Sequence, residues 1–359
     1  MIARFIWPLS IPTPMKIVLA IAVLVASQYH LWSRLSSGSV FSPEFPFAIV
    51  VLFNWAFGTI ALLAVLLLAL DLGTLVVWLV RRGASPPDGV RYAIAAGAAV
   101  LAAIAVSQAV RVPPVKEIEV RIAGLPAQFD GYTMLQLTDL HISRLFPERW
   151  TRAVVDKSNA LAPDLIVVTG DFIDGSVERR RADVEPLRDL RASDGVLFIP
   201  GNHEYFFGYR EWMRHLSAMG MRALENDHAV IARGQGRLVI AGVTDLTAPG
   251  TGHSGPNVAA SIAGAPAGAP IILLDHQPKN ARAAAPLGIA LQLSGHTHGG
   301  MIRGLDRIVA RANGGFVSGR YQVGDMQLYV NNGTALWPGF ALRLGRPSEL
   351  TRITLRPAA

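Results

Sequence analysis

The uneven distribution of charge along the chain is the feature that most limits its possible folds. The 359 residues include 33 Lys and Arg and 26 Asp and Glu, but only seven basic and three acidic residues lie before residue 112. Charged residues make up 16% of the whole chain, whereas a soluble globular protein is about one quarter charged. The first third is therefore expected to lie in a membrane, and a wholly soluble protein is excluded.

Three apolar stretches in this first third predict about three transmembrane helices. We place the spans near residues 15–32, 47–70 and 92–110, within a transmembrane region of residues 1–111. Each is long enough to cross a hydrocarbon core about 30 Å thick. Asp71 follows the second span, and we interpret it as a residue at the headgroup level rather than a functional carboxylate inside the membrane.

Basic residues near the spans predict the orientation of the chain. Arg81, Arg82 and Arg91 lie between spans two and three, whereas the segment between spans one and two holds Arg34. Because cytoplasmic loops are enriched in Lys and Arg, the chain is expected to be a multi-pass protein of the inner or plasma membrane with its C-terminal part outside the cytoplasm. Cleavage after the triplet 107–109 is an alternative left open.

The remaining chain has an ordinary charge balance and is expected to form one domain. Residues 112–124 are predicted to be a linker and first strand, and residues 125–359 a folded domain. The chain contains no cysteine, which excludes a disulfide scaffold, a zinc ribbon and a cysteine nucleophile, so that any metal must bind to nitrogen and oxygen donors. The net charge of +7 comes from scattered residues, and no nucleic-acid partner is expected.

Short aliphatic runs alternate with helix-like segments in this domain, a pattern typical of an α/β layered fold with mixed sheets. Helices are predicted near residues 149–161 and 210–219, and a hairpin is predicted within residues 222–242. The predicted strands are 134–137, 165–168, 196–199, 238–241, 271–274, 290–293, 328–330 and 350–355.

Polar clusters follow five of these strands directly. The clusters contain Asp139 and His141, Asp171 and Asp174, Asn202 to Glu204, Asp275 and His276, and His296 and His298. In an open α/β sheet the carboxyl ends of the strands meet at one crevice, so these residues are expected to lie close together. Each cluster alone also has an ordinary explanation, such as a turn or a helix cap, but five in succession indicate a shared site.

The residue types in these clusters indicate a site for two metal ions. Seven residues are candidate ligands: Asp139, His141, Asp171, Asn202, His276, His296 and His298. Seven donors are too many for one zinc-like ion. They suit two ions about 3.5–4 Å apart that share a carboxylate, which clamp a phosphoryl group and lower the pKa of a water between them so that hydroxide can attack.

The ordered motifs resemble those of the calcineurin-like metallophosphoesterase superfamily over residues 115–359. The resemblance rests on Asp-x-His at 139–141, Gly-Asp-x-x-Asp at 170–174, Gly-Asn-His-Glu at 201–204, His276 and Gly-His-Thr-His at 295–298. The flanking residues and the preceding apolar spans are similar to the bacterial membrane-associated phosphodiesterase branch. The resemblance implies a four-layer α/β sandwich of mixed sheets flanked by helices.

The resemblance also implies a role for each site residue. One ion would be held by Asp139, His141, Asp171 and His298, and the other by Asp171, Asn202, His276 and His296, with Asp171 as the bridge. The two divalent ions would be Mn, Fe or Zn. His203 would protonate the leaving oxygen or stabilise its charge, and Asp174 would hold His203 in its protonated form. Glu204 is interpreted as a supporting residue and not as a ligand.

Three positions depart from the family pattern. Gly175 stands where protein phosphatases of the family have a phosphate-binding arginine, which argues against a phosphoprotein substrate. Met301 replaces a common glutamine, and Asp275 replaces a small residue before His276. Asp275 either orients His276 or is simply a carboxylate at a strand end.

The sequence therefore predicts a membrane-anchored, binuclear-metal phosphoesterase that hydrolyses a phosphodiester or pyrophosphate bond. An envelope phosphoester is the expected substrate, and a lipid-linked nucleotide pyrophosphate is one hypothesis. Two alternatives remain: a non-catalytic metal-binding membrane sensor or scaffold, and a nuclease. The presence of both His203 and Asp174 argues against a scaffold, which needs no acid for a leaving group.

Overall fold

The structure, a computed structural model, describes residues 2–81 and 88–358. Arg82, on which part of the orientation prediction rests, lies outside these residues. The chain divides into two compact units. One contains the residues up to Ala109 together with Pro338–Arg343, and the other contains Val110–Trp337 and the residues from Leu344 onward.

Helices make up the first unit because its sequence is apolar almost throughout. They are α1 (Thr13–Ser27), α2 (Tyr29–Ser37), α3 (Phe47–Arg81) and α4 (Asp88–Val110). Within the described residues, α3 and α4 are each long and apolar enough to cross a bilayer, and α1 and α2 count as a third span if the bent pair is taken together. The prediction of about three apolar helices is thus confirmed.

Two of the three predicted spans differ in shape from the helices observed. The first predicted span, residues 15–32, is bent by 54° between α1 and α2, at a point where polar side chains such as Gln28 interrupt the apolar run. The helix α3 has 35 residues and continues past Asp71 to Arg81. Its length of about 52 Å exceeds the thickness of a hydrocarbon core.

A short segment from near the end of the chain belongs to this helical unit. Pro338–Phe340 forms a 3₁₀ turn, and its Pro338 carbonyl accepts hydrogen bonds from Tyr29 Oη and Asn54 Nδ2, both at 2.8 Å. The Ala341 amide donates to Asn54 Oδ1 at 2.7 Å. Asn54 therefore satisfies backbone groups that apolar surroundings would otherwise leave without a partner.

Two six-stranded mixed sheets form the centre of the second unit. The first has the order β1-β12-β2-β3-β4-β5, in which β12 and β2 are antiparallel and all other neighbours are parallel. Its strands are β1 (Val115–Ile122), β2 (Thr133–Leu137), β3 (Leu165–Thr169), β4 (Val196–Ile199), β5 (Arg222–Ala223) and β12 (Leu350–Pro357).

The second sheet has the order β10-β11-β9-β8-β7-β6. Its inner strands β11, β9, β8 and β7 are parallel, and the two outer pairs are antiparallel, so that the hairpin predicted within residues 222–242 is present as β6 and β7. The strands are β6 (Asp227–Arg233), β7 (Gly236–Gly242), β8 (Ile271–Leu274), β9 (Leu291–Ser294), β10 (Gly319–Val323) and β11 (Met326–Val330).

Apolar side chains between the sheets form the main core. It contains residues of the first sheet such as Met134 and Leu165 and residues of the second such as Ile240 and Leu293, all of them buried. A second cluster covers the outer face of the second sheet, where Leu273 packs near the helical segment that begins at Ala281. The two sheets and the helices outside them confirm the predicted four-layer α/β sandwich.

The helices of this unit lie in the connections between strands. Both helices predicted from the sequence are present, with bounds shifted by one residue. The helices are α5 (Glu148–Ala160), α6 (Val177–Val184), α7 (Asn202–Phe206), α8 (Tyr209–Ala218), α9 (Val258–Ser261), α10 (Ala281–Ala284) and α11 (Asp306–Ala312).

Candidate metal centre

Five strand ends, three from the first sheet and two from the second, place the predicted site residues in one buried region. The first-sheet strands are β2, β3 and β4, and those of the second sheet are β8 and β9. The loops after them are joined by backbone hydrogen bonds, such as Asp139 N to Gly170 O at 3.0 Å and Gly295 N to His276 O at 3.0 Å. Residues as far apart in the chain as Asp139 and His298 also lie beside one another, with His298 Nε2 3.6 Å from Asp139 Oδ1.

The backbone is strained at the residues that carry the candidate ligands. Among the described residues, eight non-glycine residues have a positive φ, and five of them are candidate ligands: Asp139, His141, Asp171, His296 and His298. Such backbone angles are uncommon for residues with a Cβ atom and concentrate at functional sites, where surrounding contacts enforce them. The strain turns each side chain out of the direction of its strand and toward the shared region.

The first group of donors consists of Asp139, His141 and His298, all of them buried. His298 Nε2 lies 3.6 Å from Asp139 Oδ1, and His141 Nε2 lies 3.9 Å from the same oxygen. The two Nε2 atoms are 3.2 Å apart. Two imidazole nitrogens and one carboxylate oxygen therefore face a single point, as in a metal site with nitrogen and oxygen ligands.

The second group of donors contains Asp171, His276 and His296, with Asn202 beside them. His276 Nε2 lies 3.2 Å from Asp171 Oδ2 and 3.1 Å from Asn202 Oδ1. The rings of His276 and His296 have centroids 5.1 Å apart. The four side chains supply the donor set that was predicted for the second ion.

Asp171 lies between the two groups. Its Oδ2 atom is 3.2 Å from His276 Nε2 on one side and 3.8 Å from His141 Nε2 on the other. The carboxylate is only 2% exposed. The carboxylate of Asp171 therefore lies within reach of both groups of donors.

His203 and Asp174 stand next to the donors without belonging to the predicted ligand set. His203 Nδ1 is hydrogen-bonded to Asp174 Oδ1, and its Nε2 faces Asp171 Oδ2 at 4.0 Å. Asp174 Oδ2 also contacts His141 Nδ1 at 3.1 Å. One buried carboxylate therefore orients both the predicted acid and a predicted ligand, and the second of these contacts was not expected from the sequence.

Electrostatics at the centre favour positive charge. Burial alone would lower the pKa of His203, but the carboxylates of Asp171 and Asp174 outweigh it and raise that pKa to about 9. Burial is likewise outweighed at His276, whose pKa is raised well above its usual value by Asp171. The carboxylates that raise these two pKa values would also attract divalent cations, and metal binding would displace the proton from a ligating histidine.

The chemistry of the donors fits two divalent cations. The aspartates Asp139 and Asp171 are buried, and an isolated buried carboxylate is costly unless a cation or hydrogen bonds compensate it. Burial lowers the pKa of His296 to about 3, which keeps its ring neutral and able to ligate. The nitrogen and oxygen donors suit Mn, Fe or Zn.

Hydrogen bonds to backbone groups also orient the candidate ligands, and these contacts could not be predicted from the sequence. His276 Nδ1 lies 2.7 Å from the Thr169 carbonyl, which leaves Nε2 to face the centre. Both ring nitrogens of His276 are thus engaged by groups other than Asp275, so Asp275 is better described as a buried carboxylate at a strand end. Its burial, together with the nearby Asp245, raises the pKa of Asp275 to about 7.

Several known sequences are similar to this chain. The family model described as calcineurin-like phosphoesterase matches residues 132–300. A transmembrane protein with metallophosphoesterase domain from Danio rerio is 35% identical over 272 residues, which cover 72% of this chain and 61% of that protein. The uncharacterized metallophosphoesterase YkuE of Bacillus subtilis is 31% identical over 247 residues, which cover 67% of this chain and 84% of that protein.

A third relative is an uncharacterized metallophosphoesterase of Helicobacter pylori strain J99, 30% identical over 247 residues, with 68% of this chain and 64% of that protein covered. The chain thus spans just over three fifths of the length of the Danio and Helicobacter proteins. Among solved structures, the NAD nucleotidase of Haemophilus influenzae is similar with a TM-score of 0.42 and 16% identity, over 57% of this chain and 51% of that one.

Proposed function

The chain belongs to the calcineurin-like phosphoesterase family, and from this membership and the site geometry we propose that it is a membrane-anchored, metal-dependent phosphoesterase. The bond hydrolysed is a phosphodiester or pyrophosphate. The observation that carries the proposal is the convergence of seven nitrogen and oxygen donors on two adjacent points, with Asp171 between them. Two divalent ions at these points would activate a water and neutralise the charge of a phosphoryl group.

His203 and Asp174 would supply the proton for the leaving oxygen. His203 Nε2 is turned toward the donors because Asp174 engages Nδ1. A histidine held in this way can give a proton to the leaving oxygen. The raised pKa of His203 supports this role, because it keeps the ring protonated at neutral pH.

The lack of a phosphate-binding arginine after Asp174 favours a diester or pyrophosphate over a phosphoprotein. Gly175 occupies that position, and its carbonyl accepts a hydrogen bond from Trp212 Nε1 at 3.0 Å. A diester carries one negative charge less than a monoester at neutral pH, and so depends less on an added guanidinium.

The anchoring role is supported by the apolar helices α3 and α4, and the bent pair α1 and α2 is proposed as a further span. With Arg81, Arg82 and Arg91 on the cytoplasmic side, the phosphoesterase domain would face the periplasm or cell exterior. We therefore place the substrate among envelope phosphoesters, with a lipid-linked nucleotide pyrophosphate as a specific candidate.

The test is hydrolysis of an activated phosphodiester and of the matching monoester by the full chain in detergent with added Mn²⁺. With an alkyl diester, whose leaving oxygen needs a proton, His203→Ala should lower kcat by about 10²- to 10⁴-fold while metal is retained, as expected for loss of a general acid, and with the activated ester the loss should be smaller. Asp171→Asn should abolish turnover together with metal binding. His228→Ala, at a half-buried histidine on β6 that contacts the Ser261 carbonyl, is the matched control.

The same experiment separates the proposal from its rival. A folded, metal-loaded chain that hydrolyses neither ester, nor lipid-linked pyrophosphates presented in vesicles, would favour the metal-binding sensor or scaffold. Equal activity toward the alkyl diester in the parent chain and in His203→Ala would overturn the role assigned to His203.

A further inference from the structure

Two phenylalanines follow the predicted acid, Phe206 as the last residue of the short helix α7 and Phe207 directly after it. The helix α7 begins at Asn202, and His203, Phe206 and Phe207 are spaced at i, i+3 and i+4, a spacing that places side chains on one helix face. The ring centroid of His203 lies 5.4 Å from that of Phe206 and 6.1 Å from that of Phe207. Both aromatic rings are thus direct neighbours of the predicted acid.

Phe206 is exposed although it stands beside a buried centre. Its side chain is 45% exposed, whereas His203 is 5% exposed. Among the described residues of the second unit, the other exposed large apolar residues are the aliphatic Val230, Leu287 and Ile308. Isolated exposed apolar residues are common, but Phe206 differs from the other three in that its ring also contacts His203.

The orientation of His203 fixes where a leaving group would extend. Because Nδ1 is engaged by Asp174, the proton available for a leaving oxygen is on Nε2, which faces Asp171. The phosphoryl group would occupy the side of the buried donors. The organic part attached to the leaving oxygen would then extend away from the buried donors, past His203 and next to Phe206.

Residues on either side of this pair hold the helix in place. Tyr205 stacks on Tyr209 with centroids 4.2 Å apart and an interplanar angle of 10°. His253 packs edge-on against both rings, at 5.6 Å from Tyr205 and 4.6 Å from Tyr209. A surface that is fixed before binding loses less conformational entropy when a ligand contacts it.

We infer that Phe206, with Phe207 beside it, binds the organic part of the leaving group, so that the chain favours phosphoesters whose leaving alcohol presents an apolar surface. The inference rests on the proposed function, because it assigns His203 to the leaving oxygen. Two sources share this chemistry: an aromatic ring, which would stack on Phe206, and an aliphatic chain, which would need only apolar contact.

The experiment compares two diesters with the full chain in detergent and Mn²⁺. Methyl 4-nitrophenyl phosphate has an aryl leaving group, and methyl 2,2,2-trifluoroethyl phosphate has a compact one, followed by fluorine NMR. Phe206→Ala should lower kcat/KM for the aryl ester by roughly three- to tenfold, mainly through a higher KM, and lower it less for the compact ester, so that the ratio between the two falls. The exposed Val230 on β6 supplies the matched control Val230→Ala.

A second variant at Phe206 distinguishes stacking from simple apolar contact. Phe206→Leu should behave like Phe206→Ala if stacking matters, and like the parent chain if apolar contact is sufficient. An unchanged ratio of kcat/KM between the two esters in Phe206→Ala would overturn the inference alone. A parent chain that hydrolyses neither of these esters, nor lipid-linked pyrophosphates presented in vesicles, would overturn the proposed function, and the inference with it.

Discussion

Glu204 ties together the two loops that carry Asp171 and His203. Its carboxylate accepts hydrogen bonds from the backbone amides of Gly201 at 2.7 Å, Phe172 at 2.8 Å and Asp171 at 3.0 Å. Burial raises the pKa of Glu204 to about 7, with a further contribution from Asp171. The sequence motif suggested only a supporting role for this residue, and the three amide contacts specify that role.

Replacing this carboxylate by an amide should weaken metal binding without removing a ligand. In Glu204→Gln one acceptor oxygen becomes an NH₂ group that meets backbone N–H donors, so that the loops separate and Asp171 shifts. Contacts of this kind are worth about 10- to 100-fold in metal affinity. Titration with Mn²⁺ measures the change, with the exposed Glu178→Gln on α6 as control, and equal affinities in all three chains would refute the role.

The site also requires a glycine at position 201, because there is no space for a side chain beside Asp171. A Cβ atom on Gly201 would lie 2.2 Å from Asp171 Oδ1. Gly201→Ala should therefore displace the bridging carboxylate and lower kcat by at least about tenfold, because a shift of 1 Å at a reacting centre can cost about 10²-fold. Gly250→Ala is the matched control, since a Cβ there has nothing within 4 Å. Normal activity of both variants would contradict the geometry.

At the scale of elements, local patterns in the sequence identified most strands and the polar clusters that follow them. The aliphatic runs near β2, β3, β4, β8 and β9 were evident, because buried parallel strands are apolar on both faces. The pairing of β12 between β1 and β2 was not predictable, since it joins residues more than 200 positions apart. The bend between α1 and α2 was also missed, because an apolar run predicts a helix but not its direction.

An ion-pair network links three strands of the two sheets. Asp164, just before β3, accepts hydrogen bonds from the Thr133 amide at 2.8 Å and from the Arg233 guanidinium at 2.8 Å. Burial alone would raise the pKa of Asp164, but Arg233 and Thr133 outweigh it and lower that pKa. The ionised form therefore stabilises the fold above the ordinary carboxyl pKa of about 3.9, and this contribution is lost as the pH falls through the lowered pKa.

Asp164→Asn should accordingly reduce stability at neutral pH by about 1 kcal/mol, a partly solvent-screened value. The difference from the parent chain should shrink as the pH falls below about 4, since the parent carboxyl then becomes protonated too. Thermal unfolding of the full chain across pH measures both effects. The exposed pair of Asp189 with Arg152 provides the control Asp189→Asn, and a pH-independent difference would contradict the assignment.

At the scale of the whole molecule, the chain combines an apolar helical unit with a domain of the calcineurin-like phosphoesterase family. The apolar helices ahead of the domain could be predicted from the sequence, because a run of apolar residues is informative without any knowledge of tertiary contacts. The return of residues 338–343 to the helical unit had no signal in the sequence. The segment lies there because its backbone forms hydrogen bonds with Asn54, and such long-range contacts are not visible in the sequence.

The orientation proposed from basic residues is testable on the intact chain. A reporter that is active only outside the cytoplasm should be active when fused after Ala359 and inactive when fused between spans two and three. Changing Arg81, Arg82 and Arg91 to glutamine should reduce this preference, because these residues supply the positive-inside bias. Activity of a cytoplasm-only reporter after Ala359 would overturn the orientation.

The central claim is that one chain holds two divalent ions through seven side chains with Asp171 as the bridge. Elemental analysis of the purified full chain, dialysed after loading with Mn²⁺, tests it most directly. The account predicts about two ions per chain in the parent protein and in Asp227→Asn, an exposed aspartate of β6, and less than one ion in Asp171→Asn with unchanged folding. A single ion in the parent protein, or two ions retained by Asp171→Asn, would contradict the account.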